Sequence, residues 1–146
     1  MQKILIACLG NIFYGDDAFG VDVAKILSEK ELPNNVKVVD FGIRGIDLAF
    51  EISENYNLVI LVDAVKVGAK AGAVFVIEPK SLANSEIISH DLTPNKALQF
   101  AQNFENPPKK MLLIGCEPTN LEFNDEMSEV VKNSIEKAVT KILELI

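Results

Sequence analysis

Ile4-Leu5-Ile6-Ala7-Cys8-Leu9-Gly10-Asn11-Ile12-Phe13-Tyr14-Gly15-Asp16-Asp17-Ala18-Phe19-Gly20 decides how the rest of the chain is read. Its first six residues are an unbroken apolar run, the pattern of a strand buried on both faces. Gly10 and Gly15 then punctuate a turn. Phe19, Val23, Ile26 and Leu27 recur at helical spacing, which predicts a helix from about Asp17 to Lys30, with Pro33 as its breaker. Strand, glycine turn and helix in succession begin an α/β sheet protein, and that turn is where such proteins place their chemistry. Most of them bind phosphate there, through bare N–H groups and the positive helix end. Here the turn carries adjacent aspartates, which repel phosphate and suit a metal ion or proton transfer.

Working outward, Val36 to Asp40 reads as a second strand, Gly42 to Gly45 as a turn and Ile46 to Ser53 as a short helix. Leu58 to Val62 is a third apolar strand that ends at Asp63. Gly68 and Gly72 flank a loop, and Ala73 to Ile77 is a fourth strand closed by Pro79. The connection between strands three and four is too short for a crossover, so that pair is predicted antiparallel. Ser81 to His90 reads as loop. Thr93-Pro94 is a helix start, and Ala97, Leu98, Ala101 and Phe104 supply its apolar face. Met111 to Cys116 is the fifth strand, followed by a polar loop, Glu117 to Met127, and a last helix from Ser128 to Leu145. The order β-α-β-α-β-β-α-β-α, without repeat or linker, predicts one domain over residues 1–146. Its fold class is α/β: a three-layer α/β/α sandwich whose five-stranded twisted sheet is mostly parallel, with one antiparallel strand.

Composition narrows the function. Hydrophobic residues make up 49% of the 146, enough for one real core. A net charge of −7 excludes the basic footprint of a nucleic-acid binder and disfavours an anionic membrane surface. No apolar run is long enough to span a bilayer, and the start lacks a secretory pattern, so a cytoplasmic protein is expected. Cys8 and Cys116 lie in apolar strands without a Cys-x-x-Cys spacing and read as buried thiols. His90 is the single histidine, so any histidine chemistry must use it.

Three polar residues stand where apolar strands stop: Asp17 after strand one, Asp63 at the end of strand three, and His90 in the loop after strand four. Strands one and three should be neighbours with their carboxyl ends on one edge, where open α/β sheets bind ligands. Two carboxylates and an imidazole make a mixed O/N site of the kind that nickel, zinc and related ions accept. Each residue also has a plainer reading: helix caps for Asp16 and Asp17, a satisfied strand end for Asp63, a surface residue for His90. Asp16 in particular is expected to cap, at about 0.5–2 kcal/mol. No Gly-x-Gly-x-x-Gly, Walker lysine or Gly-x-Ser-x-Gly elbow competes.

The motifs Gly10-Asn11, Gly15-Asp16-Asp17-x-x-Gly20, Val62-Asp63-Ala64, His90-Asp91-Leu92 and Gly115-Cys116-Glu117-Pro118 follow one another in that order. With Asp40-Phe41-Gly42-Ile43-Arg44-Gly45 after strand two, they resemble the maturation endopeptidases of nickel–iron hydrogenases over nearly the whole chain. The resemblance implies an enzyme that removes a C-terminal extension from the hydrogenase large-subunit precursor once nickel is installed there. It implies Asp17, Asp63 and His90 as the nickel-contacting and catalytic residues. The nickel would be carried by the precursor, and no further cofactor is implied. Asp17 stands where some members have glutamate, and Ala18 where many have glycine.

Two other readings stay open at this level. Cys116 ends strand five on the same edge, and with His90 as base it would make a cysteine-dependent hydrolase. A non-cleaving nickel checkpoint protein would bind the same precursor. A nucleotide-binding module is disfavoured by the acidic first loop. Arg44 is a candidate for the cleft wall, with a solvated loop arginine as its plainer reading. Without a sustained heptad, a monomer is expected.

Overall fold

The computed structural model describes residues 2–78 and 106–146, together with the backbone pairing of residues 88–89. Its strands are β1 (Ile4–Leu9), β2 (Val36–Gly42), β3 (Leu58–Lys66), β4 (Val74–Ile77), β5 (Ile88–Ser89) and β6 (Lys110–Cys116). The helices among the described residues are α1 (Phe19–Ser28), α2 (Gly45–Ile52), α3 (Glu129–Lys132) and α4 (Ile135–Leu145), and a 3-10 turn, Gly15–Ala18, leads into α1.

The strand order is β2-β1-β3-β6-β4, with β5 paired to β3 off this path. The pairs β1–β2, β1–β3 and β3–β6 are parallel, and β4 runs antiparallel along β6. The strands read as continuous apolar runs because the sheet is covered on both faces. Alternation along β1 sends Ile4, Ile6 and Cys8 to one face, where they pack with Phe19, Val23 and Leu27 of α1 and Ala138, Val139 and Ile142 of α4. Leu5, Ala7 and Leu9 go to the other face with Leu48 and Ile52 of α2 and Tyr56. The α/β fold is therefore three-layered as its pattern predicts. Among the described residues no helix is long and apolar enough to cross a membrane.

This order contains a reversal. The chain leaves β1 for β2 on one side, then returns past β1 to β3 on the other. The first connection carries α1 on one face of the sheet and the second carries α2 on the opposite face. The order therefore reverses at β1, and such folds open a crevice beside the carboxyl ends of the strands at that reversal, here β1 and β3.

Four expectations change. Strands three and four are antiparallel in direction but are not paired, because β6 lies between them. A short connection fixes direction, not adjacency. The bridging loop is held over the end of β6 by Glu117: Gly72 N–H donates to its carbonyl at 2.8 Å, and its own N–H donates to the Ala73 carbonyl at 3.0 Å. Strand three does not stop at Val62, since β6 pairs with it through Ala64 and β5 through Lys66. The first helix begins at Phe19, after the 3-10 turn, instead of at Asp17. The last helix is two, broken at Asn133 and Ser134, where the buried Ser134 hydroxyl donates to the Gly72 and Val130 carbonyls. Pro79, His90 and the helix predicted from Thr93-Pro94 lie outside the described residues.

Candidate active site

The crevice is built from backbone contacts first. Gly20, in the first turn of α1, has no room for a side chain: a Cβ there would lie 2.1 Å from the Leu9 carbonyl oxygen and 2.7 Å from that of Val62. The helix start is thus pressed onto the end of β1 and the middle of β3. Asp17 lies three residues before Gly20, and Asp63 follows Val62, so this approach sets the backbone segments that carry the two aspartates side by side beyond the end of β1. The 3-10 turn itself packs against β3.

Both carboxylates are buried. Oδ2 of Asp17 accepts the Asn11 N–H at 3.0 Å, and the Asp17 carbonyl accepts the same N–H at 3.2 Å, while Asp17 N–H donates to the Tyr14 carbonyl at 3.0 Å. The acid is therefore held by its own loop. Asp63 does not cap a strand end, as its sequence position implies, but lies within β3 opposite Gly115 of β6. It is one residue beyond Val62, the last β3 partner of β1. By alternation it shares the sheet face of Leu61 and Val65, the face that α2 covers. Two residues further on, Val65 pairs with Ser89. His90, next in sequence, lies outside the described residues, so the meeting of all three predicted ligands is not part of this description. Oxygen donors of this kind suit a divalent cation. Among the described residues no group of three His, Cys, Asp or Glu side chains is arranged to hold an ion.

Asp16 is not a helix cap. Tyr14 is at the N-cap position of the 3-10 turn and Ala18 at that of α1. The Asp16 carboxylate points instead into the loop that follows β6 and is wholly buried there. It accepts the N–H groups of Thr119 (2.8 Å), Asn120 (2.9 Å) and Ser128 (2.7 Å), and the Ser128 hydroxyl as well. Its own N–H donates to the Asn120 carbonyl at 2.7 Å. The loops approach so closely that Gly15, at φ +56°, would place a Cβ 2.5 Å from that same carbonyl oxygen. Only a residue tolerant of left-handed backbone, and without a side chain, fits there. Asn124 N–H donates to the Phe13 carbonyl at 2.7 Å, and the Tyr14 and Phe123 rings meet at 5.4 Å.

Glu117 is a fourth buried acid, recognisable beforehand only as a member of the Gly115–Pro118 motif. Its carboxylate accepts the N–H groups of Val67 (2.8 Å) and Gly68 (3.1 Å), which fixes the turn that leaves β3. Arg44 is a local brace: its guanidinium donates to the carbonyls of Asp40 and Phe41 and pairs with Asp47 at 3.4 Å.

Cys116 does not qualify as a nucleophile. Its side chain is fully buried between β3 and β4, and burial pushes its thiol up to about 11. At neutral pH it stays protonated and out of reach of a substrate. Burial raises the Cys8 thiol further still.

A family model for hydrogenase maturation proteases matches residues 21–145. A Methanocaldococcus jannaschii protein provisionally named for that activity is 31% identical over 97% of this chain and 95% of its own length. The hydrogenase 2 maturation protease of Escherichia coli is 29% identical over 97% of this chain and 89% of its own. Among solved structures, the maturation protease HycI of Thermococcus kodakarensis superimposes with a TM-score of 0.83 at 27% identity, covering 99% of this chain and 92% of that one.

Proposed function

The chain belongs to the hydrogenase maturation protease family, and from that premise we propose that it removes the C-terminal extension of a nickel–iron hydrogenase large-subunit precursor after nickel insertion, recognising the nickel in that precursor. The observation that supports this reading is the burial of two aspartates, Asp17 and Asp63, on backbone segments that the close approach of Gly20 sets side by side.

In this reading nickel arrives with the substrate. Asp17 and Asp63 offer it oxygen donors, and His90 is the nitrogen donor expected beside them. Ligands shared between protease and precursor hold the scissile peptide at a fixed distance from the ion, so cleavage proceeds as an intramolecular event. Water adds to the scissile carbonyl, a site carboxylate takes its proton, and the proton passes to the departing amine as the C–N bond breaks. The charge of the ion favours the oxyanion that forms. The protein acts in the cytoplasm, as a monomer that meets its precursor transiently and needs neither nucleic acid nor membrane.

The test is intact-mass analysis of the cognate precursor, with and without nickel, after incubation with the protein. Loss of a C-terminal peptide from the nickel-loaded form alone is the expected result. Equal cleavage of both forms would remove the metal from the mechanism. Binding without cleavage would leave a checkpoint protein instead of a protease.

A further inference from the structure

Exposed apolar side chains are distributed unevenly over this molecule. Among the described residues, six large hydrophobic side chains are 57–70% exposed: Ile12, Phe13, Ile43, Ile46, Phe50 and Phe123. The next most exposed reach only 39%. All six belong to the segments that follow β1, β2 and β6, parallel strands of one sheet whose carboxyl ends lie on the crevice edge, with β3 between β1 and β6. Loop one and the loop after β6 are locked together by the Asp16 clasp, which sets Ile12, Phe13 and Phe123 on one wall. Gly10 N–H donates to the Gly42 carbonyl at 3.0 Å and joins loop one to the segment that carries Ile43. On α2, Ile46 and Phe50 are four residues apart and share its outward side, and Ile43 joins them as an exposed side chain in the turn that leads into the helix. Leu48, Ala49 and Ile52 take the inward side. Arg44 and Asp47, between them, cancel each other's charge.

Isolated exposed hydrophobics need no explanation, but a set concentrated on one edge marks an interaction surface. Resting on the reading of the chain as a protease for a folded precursor, we propose that the large-subunit precursor docks on this apolar crown, with the α2 stripe Ile43, Ile46 and Phe50 as its main hold. The precursor fits better than a second copy of this chain, because a self-interface on this face would cover the edge that carries Asp17 and Asp63. Asp63 lies on the α2 face of the sheet, so a body held by α2 is on the correct side to present its nickel. The matching surface on the precursor is apolar and nearly uncharged, beside its nickel site.

The test uses the full chain and the nickel-loaded cognate precursor. Phe50→Glu and Ile46→Glu should keep the melting temperature and raise KM for processing about tenfold or more, with a matching loss of precursor binding in calorimetry. Phe50→Leu should restore most of the binding, and Leu143→Glu, on α4, should behave as wild type. Should Phe50→Glu fail to fold, Phe50→Ser provides the same comparison. An unchanged KM and binding constant in folded Phe50 and Ile46 variants would overturn the docking surface while leaving the protease reading intact. A wild-type protein that binds the precursor through this stripe but never cuts it would uphold the surface and end the protease reading. A wild-type dimer in sedimentation, made monomeric by Phe50→Glu, would assign the stripe to self-association and overturn the proposal.

Discussion

Asp16 and Asp17 are adjacent in sequence and equally buried, yet they serve different regions of the molecule. Asp16 reaches across to the loop after β6 and is filled by donors from Thr119, Asn120 and Ser128. Asp17 accepts the N–H of Asn11 in its own loop. One region is a clasp, the other the centre proposed for the reaction. The difference shows that burial alone does not mark a catalytic acid. What distinguishes the two is which donors satisfy the carboxylate, and from how far along the chain they come.

The comparison breaks most visibly at the reaction centre. Asp17→Ala and Asp63→Ala should each lower processing by about 10²–10⁴-fold while the urea midpoint stays near wild type. A collapse of the midpoint in either would make that aspartate a second clasp. Asp16→Ala should cost more than loss of a helix cap would: three N–H groups lose a buried charged acceptor, and urea unfolding should show a loss of about 3 kcal/mol or more. A loss below about 1 kcal/mol would return Asp16 to the status of an ordinary cap. Glu117→Gln keeps one acceptor oxygen of two, and about 1–2 kcal/mol should go, with faster amide exchange confined to Val67 and Gly68. Uniform exchange across β3 would contradict a local clamp. Ser128→Ala should cost about 1 kcal/mol in the wild type and almost nothing beside Asp16→Ala, since both remove the same clasp.

The smallest effect is one of pH. The Cys116 thiol is raised by burial from the ordinary 9.0 to about 11. The unfolded chain therefore loses its proton first as pH rises, so stability is complete below about 9 and declines between about 9 and 11. A thiol reagent should leave folded protein unlabelled at pH 8 and label both cysteines in denaturant. Rapid labelling of Cys116 in the folded state would reopen the cysteine reading.

The parts of this picture that were legible are those written locally. The apolar run Ile4–Leu9 and the spacing of Phe19, Val23 and Leu27 give the layers and the parallel core. What was not legible depends on partners far away in sequence. Asp16 reads as a cap because its real donors are more than a hundred residues distant. Strand four seems to belong beside strand three because nothing in a seven-residue connection announces a strand still to come. The break before α4 follows from one serine hydroxyl preferring a carbonyl across the sheet. Its apolar spacing continues unbroken through the break.

The place of β6 between β3 and β4 sets an order of events during synthesis. When residues 58–77 leave the ribosome, the slot between their two strands has no occupant. It stays empty until Lys110–Cys116 emerges, more than thirty residues later, and Glu117, the next residue made, then ties the connecting loop over the finished slot. A nascent chain halted before residue 110 carries two unpaired strand edges, the form of chain that chaperones shield. The carboxyl edge of the sheet is thus completed only as the last quarter of the chain arrives.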